Sequence, residues 1–298
     1  MALLLTTDGL AQTAETDSWK HEIALVSDTQ QPLAIERIFR RGEKNTLATK
    51  KILEDIIDRI PRAVFMLGDV VSVGYKEKKW PVIDTFLAQS RSLGISVSAI
   101  LGNHELFTSS TRGEAAFNKR FPDQVNTGYY KLVDSICFVM LNSNFGKLAA
   151  GQEQKQRDFY AATMQQMEAD PGVKLIVVAC HHSPYSNSKI VKSNPKVQEQ
   201  FVPLFVSTSK AKLFVSGHSH AFEHFKIKGK DFLTIGGGGG AYQPMSTGKT
   251  RLETLSDKYH PRFHYILLKR KGDQVVIISR QLKTDFSGFT SEYEFTVH

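Results

Sequence analysis

The sequence predicts a mixed α/β chain built on two packed β-sheets. Two patterns carry that expectation. In the N-terminal third, short apolar runs alternate with stretches whose apolar residues recur at helical spacing, the signature of parallel strand–helix–strand crossovers. In the C-terminal third, apolar runs follow one another with only turn residues between them. No repeat, low-complexity linker or composition break divides the chain, so the expected organisation is an arm over residues 1–20 followed by one domain over residues 21–298. With 298 residues and 41% hydrophobic composition, the chain is large enough to bury a substantial core.

Ile23-Ala24-Leu25-Val26 reads as a strand buried on both faces and runs into Ser27-Asp28-Thr29-Gln30. A helical stripe of Leu47, Ile52, Leu53, Ile56, Ile57 and Ile60 follows, stopped by Pro61. Ala63 to Leu67 is a second buried strand, ending in Gly68-Asp69-Val70-Val71. Trp80, Ile83, Phe86 and Leu87 form another helical face before the strand Ile95–Leu101, which ends in Gly102-Asn103-His104-Glu105. Tyr129–Val133 and Ile136–Leu141 read as a hairpin turning at Asp134-Ser135. Residues 152–168, with Phe159, Met164 and Met167, read as an exposed helix. Leu175–Ala179 is a strand ending in Cys180-His181-His182, and Leu213–Val215 one ending in Ser216-Gly217-His218-Ser219-His220. Ala221–Ile227, Phe232–Ile235, Phe263–Leu268 and Val275–Ile278 complete the strands, with turns at Gly229 and Gly272-Asp273.

Composition narrows the function classes. No apolar run reaches the length that a membrane-spanning helix requires. Leu3-Leu4-Leu5 with Gly9-Leu10-Ala11-Gln12 fits either the remnant of a secretory leader, and so an exported protein, or a plain N-terminal arm. Cys137 and Cys180, the only cysteines, sit inside strand-like runs and read as two buried free thiols. A net charge of +8 suits an anionic substrate, but the lysines are scattered with no basic block of interleaved aromatics, so nucleic acid is not the expected partner.

Five strand ends deliver residues suited to metal: Asp28 and Gln30, Asp69, Asn103 and His104, His181, and His218 with His220. Carboxylates, amides and imidazoles together suit a pair of divalent ions such as Mn²⁺, Fe²⁺ or Zn²⁺, with Mg²⁺ an alternative. In this order the motifs Asp28-Thr29-Gln30, Gly68-Asp69, Gly102-Asn103-His104-Glu105, Val178-Ala179-Cys180-His181 and Gly217-His218-Ser219-His220 resemble the calcineurin-like metallophosphoesterase superfamily. Gly217 to Glu223 resembles its purple acid phosphatase-like branch. The resemblance implies a β-sandwich of two mixed sheets flanked by helices, in four layers, with a dinuclear metal centre at one edge.

It also implies roles. Asp69 bridges both metals; Asp28 and His220, with Gln30 nearby, complete the first site; Asn103, His181 and His218 complete the second. His104 binds the substrate phosphate and protonates the leaving oxygen, Asn103 and Tyr185 contact substrate, and Glu105 and His182 support the ligands, Glu105 by holding the His104 ring. Two motifs depart from the family pattern. Gln30 stands where His is usual, and Ser72 stands three residues after Asp69, where the purple enzymes carry a tyrosine, so a tyrosinate–ferric centre is not expected. The implied activity is hydrolysis of a phosphate monoester or diester, on a small molecule or a phosphoprotein, by a hydroxide held on two metals. A nucleotide phosphodiesterase and a degenerate, non-catalytic binding protein of the same fold are the alternatives. Gly236–Gly240 reads equally as a loop approaching substrate and as a connector, and Asn187 equally as a substrate contact and a turn residue.

Overall fold

The structure, a computed structural model, describes residues 22–33, 44–249 and 251–298. The expected arm over residues 1–20 lies outside the described residues. Two six-stranded sheets form the body. In the first, β1 (Glu22–Val26) lies parallel to β2 (Ala63–Met66), and β2 parallel to β3 (Ser96–Ala99). The crossovers are α1 (Asn45–Arg59) and α2 (Pro81–Ser92). On the other side of β1, the antiparallel strands β10 (His264–Lys271), β11 (Gln274–Leu282) and β12 (Phe289–Val297) complete the sheet.

The second sheet begins with the hairpin of β4 (Tyr129–Val133) and β5 (Ile136–Leu141), which turns at Asp134 and Ser135 with φ of 51° and 63°. Such a pair of left-handed residues matches the right-handed twist of the strands it joins. β6 (Leu175–Cys180) and β7 (Ala211–Ser216) continue parallel to β5, and the hairpin of β8 (Phe222–Ile227) and β9 (Lys230–Ile235) closes the sheet. Helices α4 (Gln152–Ala169), α5 (Pro195–Gln200) and α6 (Val202–Ser207) belong to this half, and α3 (Ser110–Asn118) lies between the two halves of the chain.

The continuous apolar runs have a direct cause: each central strand is buried on both faces. Ile23 and Leu25 of β1, Phe65 of β2, Phe138 of β5 and Val177 of β6 meet in the cluster between the sheets. Alternate residues point outward. Ala24, Val26, Val64 and Met66 meet the buried stripe of α1 and α2, and Val139, Ile176 and Val178 meet α4 to α6. Phe65 and Phe138 stack across the sandwich with centroids 4.2 Å apart, a contact that adds about 0.5–1.5 kcal/mol to the burial of the two rings. Cys137 and Cys180 are buried free thiols on the helix-facing side.

Several boundaries differ from the sequence expectation. Leu47 and Ile60 are exposed rather than on the buried stripe of α1; Ile60 is the left-handed C-cap, its N–H bonding to the carbonyl of Ile57. The helix expected to be exposed, α4, buries Gln156, Tyr160, Thr163, Met164 and Met167 beneath an otherwise polar surface. β12 and the short helices α3, α5 and α6 had no readable pattern; among the described residues β12 is an edge strand paired only with β11, and it is mostly half exposed. Among the described residues, no helix is long and apolar enough to cross a membrane.

The parallel strands bring their C-terminal ends to one edge of both sheets, where their loops bond to one another. The Asp28 N–H donates to the Gly68 carbonyl (3.1 Å), that of Gly217 to His181 (2.9 Å), and that of Gly238 to Ser27 (2.9 Å). In open α/β sheets this is the edge where ligands bind.

Candidate metal centre

Asp28, Gln30, Asp69, His181 and His220 are buried at this edge, while Asn103, His104, His182 and His218 are partly exposed, so solvent reaches the cluster from their side. Asp28, Asp69 and His218 adopt left-handed backbone angles, with φ of 59°, 49° and 66°. Such conformations cost non-glycine residues about 1–3 kcal/mol each and gather at functional sites. The Asp28 carboxylate partly offsets this by accepting the His218 N–H at 2.9 Å.

The side chains converge in two groups. Asp28, Asp69 and His181 each offer a ligand atom within 4.8 Å of the others, and so do His181, His182 and His218. Asp69 Oδ2 lies 3.3 Å from His181 Nε2, 3.4 Å from the Gln30 amide and 3.8 Å from His104 Nε2. His220 Nε2 is 3.4 Å from Asp28 Oδ1, and Asn103 Oδ1 is 3.1 Å from His181 Nε2.

The opposite ring nitrogens are fixed by backbone carbonyls. His181 Nδ1 lies 2.9 Å from the Leu67 carbonyl, and His220 Nδ1 bonds to that of Ala241. Each ring therefore donates from Nδ1 and turns the lone pair of Nε2 toward a carboxylate. Gln30 is oriented likewise. Its amide is satisfied with the NH₂ on the carbonyls of Asp28 (3.1 Å) and Asp69 (2.8 Å), which leaves its oxygen facing His220 Nε2 at 3.2 Å. Lone pairs thus face lone pairs across the cluster, and only a proton or a cation between them makes the arrangement favourable.

The titration behaviour fits. Burial lowers the His181 pKa, but Asp69 and Asp28 outweigh it and carry the pKa up to about 9. Burial resists ionisation of Asp69, yet His181 and His104 hold its carboxyl far below the usual range. Burial and the neighbouring imidazoles keep His182 neutral, down to about 3, and His218 well below its ordinary value. A cation entering here displaces the His181 proton. Metal affinity is therefore expected to rise about tenfold per pH unit as the pH climbs toward about 9 and to level off above it, one proton leaving His181 as its half of the centre fills; calorimetry in buffers of different ionisation enthalpy checks this. The sign for folding is opposite in the metal-free chain. The His181 pair stabilises it fully below 6.5 and no longer once the pH has risen through about 9.

Glu105 does not hold the His104 ring as expected. Its buried carboxylate accepts N–H bonds from Asp69 (3.0 Å), Val71 (3.0 Å) and Gly102 (2.8 Å), clamping the loops of Asp69 and Asn103 together. Burial and the Asp69 charge raise its pKa to about 7. The His104 ring is held instead by the Ser72 carbonyl, 3.1 Å from Nδ1, while its backbone N–H bonds Asp69 Oδ1 at 2.8 Å. His182, expected as a support, places its ring 4.4 Å from that of His218 and its Nδ1 2.8 Å from Ser143 Oγ. A groove of about 360 Å³ opens beside it, lined by Ser143, Phe145, Lys147 and Lys196. Tyr185 packs edge-to-face on Phe232 (5.0 Å) and serves the core of the second sheet. Asn187 bonds the Leu252 backbone through both amide atoms, at 2.7 and 3.0 Å. His224 is buried between Asp231 and Tyr293.

The five-glycine run proves to be a close-packed connector against the ligands. A Cβ at Gly236 would lie 2.0 Å from the Ser219 carbonyl oxygen, at Gly238 2.3 Å from that of Ser27, and at Gly240 2.6 Å from the His220 ring. The N–H groups of Gly238 and Gly240 bond the Ser27 and Asp28 carbonyls, both at 2.9 Å. Gly240→Ala is expected to displace His220 and weaken metal binding by about 10–100-fold, the usual cost of disturbing what orients a ligand; metal titration of the purified variant checks it.

A pattern for calcineurin-like phosphoesterases (Metallophos) matches residues 21–222. The chain belongs to that family. The fold of this calcineurin-like phosphoesterase is similar to that of a purple acid phosphatase, PPD1, from yellow lupin (Lupinus luteus) seeds, with a TM-score of 0.68 at 16% identity over 93% of this chain. The match spans 53% of the lupin chain, so the present chain corresponds to about half of it. GAP50, described as the anchor in the inner membrane complex of Plasmodium, gives 0.61 at 14% identity, covering 92% of this chain and 87% of that one. A dimetal phosphatase from Danio rerio gives 0.57 at 14% identity, covering 93% and 98%. A comparison with curated protein sequences gives no match.

Proposed function

We propose that this calcineurin-like phosphoesterase hydrolyses phosphate esters, monoesters in preference to diesters, at a centre of two divalent ions. The convergence of Asp28, Gln30, Asp69, Asn103, His181, His218 and His220, with lone pairs turned on one another, supports the reading most strongly. Two bound ions would clamp phosphoryl oxygens and make water a nucleophile near neutral pH. Asp28, Gln30, Asp69 and His220 form one half of the donor set; Asp69, Asn103, His181 and His218 form the other.

The chain's own residues supply the rest. The Ser72 carbonyl and the Asp69 carboxylate aim the His104 ring, which presents Nε2 at the open side to protonate the departing oxygen. With Asn103 Oδ1 turned to His181, its NH₂ is left to bind a phosphoryl oxygen. The net charge of +8 draws an anionic substrate in.

Gln30 favours a second reading, a phosphate- or metal-holding protein without turnover, because a carboxamide is a weaker donor than imidazole to Fe²⁺ or Zn²⁺. One experiment separates the two: metal content, then hydrolysis of a chromogenic monoester and its diester analogue with Mn²⁺, Fe²⁺, Zn²⁺ or Mg²⁺. Two ions with metal-dependent turnover support the enzyme; two ions and no turnover support the second reading. Substoichiometric metal with no turnover overturns both.

A further inference from the structure

Beside His104 the chain displays an aromatic rim that no packing requirement among the described residues explains. Leu106 enters the core between the first sheet and its helices, whereas the next residue, Phe107, is 47% exposed and belongs to none of the three core clusters. Its ring centroid lies 6.3 Å from that of His104, with the planes inclined by 32°. The turn that presents it is strained. Thr108, a β-branched residue, sits at φ 63°, and its hydroxyl bonds the Phe107 carbonyl at 2.7 Å. The Phe107 N–H bonds the His104 carbonyl (3.3 Å), as does that of Gly74 (3.4 Å), so the turn and the neighbouring loop are both pinned to His104. From that loop Tyr75 adds a second ring, within hydrogen-bonding reach of Thr108, and Arg112 caps it with its guanidinium 4.7 Å from the ring centroid. Among the described residues nothing in the core needs these rings here, and a strained, pinned turn keeps one of them in water beside His104.

We infer that Phe107, backed by Tyr75 and Arg112, forms the leaving-group subsite and that the preferred substrates are phosphate esters whose alcohol carries a planar aromatic ring. This rests on the phosphoesterase reading, in which His104 marks the leaving-group side. The ring can come from a nucleoside or from an arylalkyl alcohol, since either stacks on an exposed aromatic.

The test compares esters of matched leaving-group acidity, so that stacking alone differs. The Mn²⁺-loaded chain is assayed on benzyl and ethyl phosphate, and on adenosine 5′-monophosphate and ribose 5-phosphate. In the wild-type chain kcat/KM is expected to favour the aromatic member of at least one pair by about tenfold, the scale of one stacked ring. Phe107→Ala should collapse that ratio and Phe107→Tyr restore it, with an unchanged melting temperature excluding misfolding. The pair that responds identifies the alcohol. Equal ratios in the wild-type chain, or a ratio untouched by Phe107→Ala, overturn the subsite while leaving the phosphoesterase reading intact. If no ester turns over, the phosphoesterase reading fails. Calorimetry with benzyl- and ethylphosphonate then decides the subsite by itself: weaker benzylphosphonate binding in Phe107→Ala supports it, and equal binding of the two ligands overturns it.

Discussion

Asp69→Asn is expected to abolish turnover and to leave the purified protein with substoichiometric metal in both halves of the centre. The carboxylate is buried, 3.3 Å from His181 Nε2, 3.4 Å from the Gln30 amide and 3.8 Å from His104 Nε2, and its other oxygen accepts the His104 N–H at 2.8 Å. It lies among residues of both halves of the donor set and carries a full negative charge there. Asparagine keeps the size and tolerates the left-handed φ of 49°, so the backbone should survive. What disappears is charge. Two divalent ions then face Asp28 as the only ionised ligand, and the amide offers one oxygen where the carboxylate offered two. Disturbing an outer partner of a metal ligand already costs about 10–100-fold in affinity, and loss of this ligand should exceed that. Removal of Asp69 relieves the repulsion that helps raise the Glu105 pKa, but it also removes the pairing that carries the His181 pKa up to about 9, so near neutral pH the metal-free variant should melt below the metal-free parent. Mass spectrometry for metal, hydrolysis of a chromogenic monoester and thermal melting check the three parts. Normal metal content in the variant would remove Asp69 from the bridging position.

What the sequence made legible follows from which interactions are local. Ile23 to Val26, Ala63 to Met66 and Leu175 to Cys180 announce themselves because both their faces are buried. The polar residues that follow such runs then fall at one sheet edge by topology alone. β12 was invisible for the converse reason: a half-exposed edge strand carries no continuous apolar run. Orientation was beyond reach wherever a side chain is aimed by a distant carbonyl. Gln30 is turned by the carbonyl of Asp69, far along the chain, and the His104 ring by that of Ser72. The adjacent Glu105 suggested a partner for that ring, yet its three backbone donors lie on two loops that meet only in the fold. The glycine run had a readable signal, five residues without a Cβ, but only the positions of Ser219, Ser27 and His220 show what they make room for.

His104→Ala should lower kcat by about 10²–10⁴-fold, the range for a positioned proton donor, while metal content stays near that of the parent. The ring lies at the open side of the cluster and its Nδ1 is engaged by the Ser72 carbonyl. Its Nε2 stands 3.8 Å from Asp69 Oδ2, farther than His181 Nε2 at 3.3 Å or the Gln30 amide at 3.4 Å. Truncation therefore removes a proton source and leaves the donor set whole. Its backbone N–H, which bonds Asp69 Oδ1, is retained in the variant. The loss should also depend on the leaving group. A nitrophenolate departs without protonation, whereas an alkoxide does not, so the variant should lose far more rate on ethyl phosphate than on nitrophenyl phosphate. A merely structural histidine would slow both alike. Equal losses on the two esters, or a fall in bound metal, would take the proton-donor role away from His104 and return it to the ligand set.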